Sequence, residues 1–307
     1  MPKITVFSDH TEPLDEYTLQ GKGKEKILVI SLTGFIADGP KGILPIGRKP
    51  GMVQELVSQL KKAEKDELIK ALILKIDSPG GSVTASDLIY HEITRYKQRT
   101  GAKVVAVMMT VAASGGYYIA LPADLITAHP TTITGSIGVV VLRPNVSGLM
   151  GKIGVDVEVN KSGKNKDMGS PFRKATEEEE QIMGQMIDGF AGRFLTLATT
   201  HRKLGDSAIK QISTGRIFSA DEALALGLVD RIGYLDDAIR EAAAMAGLQQ
   251  DVKVVVYRRE EYNNDNIYNT STKQDTPEIK LIDTGLAELL PPLQGGFYYL
   301  WLPGRSD

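Results

Sequence analysis

From Lys26 onward, short apolar runs rich in β-branched residues alternate with longer stretches of helical period. The series reads KILVISLTG (26–34), GMVQELVSQLKKAEKDE (51–67), ALILKIDSPGG (71–81), SVTASDLIYHEITRYKQ (82–98), KVVAVMMT (103–110) and DLITAHP (124–130). Strands apolar on both faces, separated by helices, predict an α/β fold with a mostly parallel central sheet covered by helices.

The pattern then becomes less regular. GSIGVVV (135–141) predicts a strand, a short helix follows near 144–152, and VDVEVNKSGKNKD (155–167) reads as a strand running into a loop. Thr176 and Glu179 match a capping box, and Ile182, Met183, Met186, Ile187, Phe190 and Phe194 form one apolar stripe on the helix behind it. That stripe faces the core or another subunit. VKVVVYRRE (252–260) supplies a last strand of the main pattern. Residues 261–280 are polar and aperiodic, and LAELLPPLQGGFYYLWLPG (286–304) carries aromatics and prolines. This tail suits a strap on its own domain, a cover for a site, or a contact with a neighbour or a bilayer surface. The expected organisation is an N-terminal extension (1–25), one catalytic-type domain (26–260) and a linker with C-terminal tail (261–307).

Composition narrows the chemistry. With 36 basic and 38 acidic residues the chain has no cationic excess for a polyphosphate backbone, so nucleic acid is not an expected partner. The absence of cysteine excludes disulfides, thiolate metal sites and a cysteine nucleophile. The four histidines are scattered without ligand spacing, so neither a metal nor another cofactor is expected. No stretch reaches the roughly 18 apolar residues of a membrane span, and the N-terminus lacks a signal-peptide pattern.

Two glycine-bearing turns carry the candidate chemistry. DSPGGSV (77–83) turns from strand to helix through Pro79, Gly80 and Gly81, and such a turn aims bare backbone N–H groups at a ligand. Those are the donors an oxyanion hole needs. Ser114 lies at the end of the following strand in AASGG, where small neighbours admit a carbonyl to its hydroxyl. An N-cap role is the structural alternative for this serine. Consecutive strand ends of one sheet open into the same crevice, which favours the chemical role. For a base, His129 begins a turn, whereas Lys161, Lys164 and Lys166 cluster in one loop; spacing alone does not choose among these lysines.

Together SPGGSV, VAASGGYYIALPAD, TTITGSIGVVV, SGKNKD and TGRIFSADEALALGLVD resemble the signal peptide peptidase A family of Ser-Lys dyad proteases, from about Lys26 to Ala246. The resemblance implies a Clp protease/crotonase-like fold of ββα units, Ser114 as nucleophile and Lys166 as base. It also implies Gly81 and Gly115 as oxyanion donors, with Ser136 orienting the lysine amine. Arg216 and Asp221 would be scaffold. Implied as well are remnant signal peptides and similar hydrophobic peptides as substrates, a homo-oligomeric ring, and a membrane-associated, extracytoplasmic setting with peripheral membrane contact. The family's usual N-terminal anchor has no counterpart in this sequence. Tyr117 and Tyr118 are expected in helix packing or a pocket wall. The rival expectations are a crotonase-like acyl-CoA hydratase or isomerase, for which no carboxylate pair stands out, and a non-catalytic scaffold.

Overall fold

The computed structural model describes residues 13–39, 50–248, 251–262, 264–269 and 296–301. The chain opens with β1 (Asp15–Gln20), β2 (Lys26–Thr33), α1 (Met52–Ala63), β3 (Ile69–Ser78), β4 (Gly80–Ser82), α2 (Val83–Thr100) and β5 (Lys103–Ala113). It continues through α3 (Gly115–Tyr118), β6 (Leu125–Ala128), β7 (Ile133–Gly135), β8 (Val140–Leu142), α4 (Ser147–Ile153), α5 (Glu177–His201) and α6 (Asp206–Ile212). The remaining elements are β9 (Ile217–Ser219), α7 (Ala220–Ala225), β10 (Arg231–Ile232), α8 (Leu235–Met245), β11 (Lys253–Arg258) and β12 (Gly296–Leu300).

The main sheet runs β1-β11-β2-β3-β5-β6-β10, parallel along this path except where β1 meets β11; β7 pairs parallel with the last residues of β5, and β9 pairs antiparallel with β7. Its α/β character follows from strands that bury both faces. Leu28, Ile30, Leu72, Leu74, Val104 and Ala106 point to the side of α1 and α2, while Ile27, Val29, Ala71, Ile73, Val105 and Val107 point to α8. Period-2 alternation thus divides each continuous apolar run between two cores. Asp15–Gln20, within the segment expected to be an extension, edges this sheet.

Two stretches depart from the expected pattern. The single strand anticipated over 135–141 is divided, because Gly135 and Ser136 take positive φ values of 86° and 50° and turn the chain between β7 and β8. The strand anticipated at 155 onward does not form. Val155, Val157 and Val159 alternate correctly but lie exposed with no ladder neighbour among the described residues, and a strand needs one to satisfy its backbone.

A second, antiparallel sheet of order β4-β12-β8 stands over the C-terminal end of the main one. It joins the Pro79–Gly81 turn to the C-terminal aromatics. Of the tail, residues 296–301 are thus a strap across this end of the domain; the rest of 270–307 lies outside the described residues.

Candidate active site

A register shift in the β3–β5 ladder, between Ile76 and Ser78, sets the geometry. Asp77 Oδ1 accepts the Val111 N–H at 3.0 Å across it, and β5 leaves its pairing with β6 to pair with β7. The end of β5 is thereby carried towards the β3–β4 turn. There the Ser78 hydroxyl donates to the Gly34 carbonyl (2.7 Å) and accepts from the Gly80 N–H (3.1 Å), fixing a turn in which Gly80 has φ 102°.

The peptide groups of β4 alternate sides. Ile36 N–H donates to Gly80 C=O and Ser82 N–H donates to Ile36 C=O, both at 2.9 Å, so the Gly81 N–H and C=O face the other way, onto β12. Gly81 must be glycine, since a Cβ would overlap the Ile36 backbone. On the β12 side Tyr299 lies opposite Gly81, and Trp301 N–H donates to Pro79 C=O at 2.9 Å. Two residues back along β12 and two forward along β4, the same phase of the ladder directs the Gly81 N–H at the Tyr299 carbonyl. That oxygen also lies 3.0 Å from where a Gly115 Cβ would stand. The Gly81 and Gly115 turns therefore converge on one carbonyl oxygen.

Ser114 joins β5 to α3 with φ 53° and ψ −117°, a conformation costly for a residue with a side chain. Its N–H donates to Gly135 C=O at 2.7 Å, which holds the turn. The hydroxyl caps nothing. It is buried, with only 1% of the residue exposed, and has no hydrogen-bond partner among the described residues. A sharp strand-to-helix turn presenting an uncommitted hydroxyl is the geometry of a nucleophile elbow. Gly115 and Gly116 follow because α3 packs closely on the β3–β4 turn, where added methyl groups would meet Ser86 Oγ at 2.6 Å and the Ser78 carbonyl.

The lysines sit apart from this crevice. Lys161 pairs with Asp167 (2.6 Å) and Lys164 with Glu178, whereas the exposed Lys166 amine has no partner among the described residues. A single chain does not bring Lys166 within hydrogen-bond reach of Ser114 Oγ. The lysine loop is tied to the start of α5 by Arg173, which binds both Asp167 and Glu179. Hydrogen bonds from this guanidinium bring the Glu179 carboxyl down to about 2 and hold that of Asp167 far below the usual carboxylate range. Ser136 is half-buried, and its N–H donates to Arg216 C=O at 2.8 Å. His129 is engaged with Thr131 in a turn.

An aromatic cluster completes the crevice. The buried Tyr117 hydroxyl donates to Leu228 C=O at 2.9 Å, a packing role. Tyr118 instead stacks on Tyr299 at 5.0 Å, and its hydroxyl donates to Asp87 at 2.6 Å, itself held by Arg193 at 2.6 Å. Burial first, then this carboxylate, pushes the Tyr118 hydroxyl well above its ordinary pKa, so it remains a donor. Asp87, Arg193 and Tyr299 were not among the residues anticipated from sequence, and no local spacing joins them. No helix among the described residues is long and apolar enough to cross a membrane.

The chain is similar in sequence to known proteins. Residues 96–249, half of the chain, match the model of peptidase family S49, and residues 45–132 match that of Clp protease. A putative signal peptide peptidase SppA from Enterococcus faecium is 35% identical over 85% of this chain and 73% of its own. The putative protease slr0021 from Synechocystis is 38% identical, over 74% and 77% respectively. Among solved structures, a point mutant of the 1510-N membrane-bound stomatin-specific protease aligns at TM-score 0.49 and 16% identity over 76% of this chain and 98% of its own. With half its length matched by the family model and such relatives covered over most of their lengths, the chain belongs to peptidase family S49 and is a serine peptidase.

Proposed function

We propose that the chain is an endopeptidase in which Ser114 and Lys166 form a catalytic dyad acting on extended, hydrophobic peptides such as remnant signal peptides. The observation that carries this reading is the convergence of the Gly81 and Gly115 turns on one carbonyl oxygen beside a buried, uncommitted serine hydroxyl. The names of the relatives support the substrate class, and a membrane-associated, extracytoplasmic setting accords with it.

Neutral Lys166 accepts the Ser114 proton as Oγ bonds to the peptide carbonyl carbon and the carbonyl electron pair moves to oxygen. The Gly81 and Gly115 N–H groups stabilise that oxyanion. On collapse the C–N bond breaks, and the Lys166 ammonium returns its proton to the departing amine. Lys166 then deprotonates a water, which attacks the acyl carbon and releases Ser114. Ser136 orients the amine.

Because the lone chain leaves Ser114 without a base, the dyad closes only in an assembled homo-oligomer. Leu149 (60% exposed) and Ile153 (64%), with Val155, Val157, Val159 and Phe172, are uncovered on the segment that carries Lys166. Apolar side chains gathered in this way suit a second copy of the chain.

Ser114→Ala and Lys166→Ala should each lower kcat for an internally quenched hydrophobic peptide by on the order of 10³-fold or more. The unsubstituted protein should gain activity toward alkaline pH, because an alkylamine acts as a base only when neutral. Full activity of Lys166→Ala would refute the dyad.

A further inference from the structure

From Lys161 to Glu180 acids and bases are matched against one another. Lys164 pairs with Glu178, to which Asn165 Nδ2 also donates at 3.2 Å, and Arg143 holds both oxygens of Glu180 at 2.8 Å. Glu179, in the first turn of α5 and 1% exposed, accepts the Thr176 N–H at 2.8 Å and takes Arg173 through Nη1 at 2.8 Å and Nη2 at 2.5 Å. The same guanidinium reaches Asp167 through Nε and Nη2, both at 2.9 Å, while Lys161 Nζ donates to Asp167 Oδ1 at 2.6 Å. One planar fork thus spans two carboxylates, and both oxygens of Asp167 are occupied.

Lys166 stands beside this network without joining it. Its N–H donates to the Gly163 carbonyl at 3.1 Å, and the Ser170 N–H donates to the Asp167 carbonyl at 3.0 Å, so the backbone on both sides of it is held in turns. Of the loop's three lysine amines, that of Lys166 alone has no carboxylate partner among the described residues. The remaining charged side chains of the segment, Lys174 and Glu177, are exposed and form no ion pair among the described residues.

We infer that Arg173 is a positioning residue for Lys166: by engaging the Asp167 carboxylate and tying it to Glu179 at the start of α5, it keeps the neighbouring anion away from the Lys166 amine and fixes the loop that presents that amine. The inference rests on the reading of Lys166 as the base given above.

A carboxylate within a few ångströms favours the ammonium form of an amine, and an ammonium has no lone pair with which to take a proton from a hydroxyl. Hydrogen bonds from Arg173 first, then from Lys161, hold the Asp167 carboxyl far below the usual range, so it is an anion wherever the amine could act. The loop therefore needs a cation other than Lys166 to occupy Asp167. A guanidinium suits this task because its donors lie in one plane and bind two carboxylates at once, whereas an ammonium is a point charge. Glu179 has first claim on a cation at position 173, since a buried carboxylate without a partner is costly.

The test measures kcat and KM against pH for the full chain as wild type, Arg173→Gln, Arg173→Gln/Asp167→Asn and Lys166→Ala, with assembly checked by sedimentation. Arg173→Gln should move the pH of half-maximal kcat about half a unit toward alkaline values, which is a roughly threefold lower kcat below that point, with KM unchanged. Adding Asp167→Asn should return the midpoint to the wild-type position or below it. A merely structural role would lower kcat alike at every pH. An unmoved midpoint in the single variant, or an alkaline one that persists in the double variant, overturns the inference. If Arg173→Gln fails to fold, as circular dichroism would reveal, Arg173→Lys decides: its ammonium is drawn to Glu179, Asp167 is released, and the same alkaline shift is expected, whereas a wild-type midpoint overturns the inference. Failure of the dyad reads differently, because Lys166→Ala then keeps hydrolysing peptide whatever the Arg173 profiles show.

Discussion

A methyl group on Gly115 would stand 2.6 Å from Ser86 Oγ and 3.0 Å from the Tyr299 carbonyl oxygen, with Gly80 on the same side. Gly115→Ala should therefore displace α3 from the β3–β4 turn and misalign the Gly115 N–H. Peptide hydrolysis should drop by at least tenfold, and unfolding free energy by about 1–3 kcal/mol. Kinetics and urea unfolding of the variant check both, and wild-type activity would show that this close approach is dispensable. Much at this scale was legible in the sequence, because a backbone that needs positive φ or close contact writes itself as glycine, as at Gly80, Gly81 and Gly115. The grouping of Tyr118, itself expected in helix packing or a pocket wall, with Asp87, Arg193 and Tyr299 was not. They come from α3, α2, α5 and β12, and only tertiary packing brings them together.

At the scale of elements, apolar runs and helical period predicted the parallel sheet and its covering helices, since both faces of each strand bury side chains. The division of 135–142 between two sheets was hidden, because Ser136 at φ 50° looks like any strand-end serine. The β12 pairing was hidden for another reason. Its partners β4 and β8 are three residues each; β4, Gly-Gly-Ser, carries no strand pattern, and β8 reads as the end of the single strand expected over 135–141. β3 contains a further feature, Lys75, which is 1% exposed and donates to the Ile267 carbonyl at 3.1 Å. Burial lowers its pKa from 10.5 to about 8, against the opposing pull of Asp77. Between about 8 and 10.5 the folded amine is neutral while the unfolded one still holds its proton, so this residue adds stability as pH rises through that window. Relative to Lys75→Met, the wild-type protein should gain unfolding free energy between pH 7 and pH 10 in chemical denaturation. A difference independent of pH would contradict this account.

For the whole molecule, the lone chain brings together the proposed nucleophile turn and the proposed oxyanion donors but leaves the proposed base, Lys166, without contact to Ser114. The 149–172 segment carries both that lysine and a line of uncovered apolar side chains, so assembly and activity are coupled in the proposed mechanism. Val157→Asp, at a position 45% exposed, should yield single chains in sedimentation and lose peptide hydrolysis in parallel. Single chains with full activity would separate the two. The alternating Val155, Val157 and Val159 read as a strand that does not form among the described residues, because an alternation marks a face that could be covered without supplying the ladder neighbour that a strand needs.

The serine assignment underlies the proposed mechanism and the need for assembly alike. Its most direct test is to label the active protein with a fluorophosphonate and map the adduct by mass spectrometry. The account predicts a single adduct at Ser114, with peptide hydrolysis lost in proportion to labelling. An adduct on another serine, or full hydrolysis by protein labelled at Ser114, would contradict it.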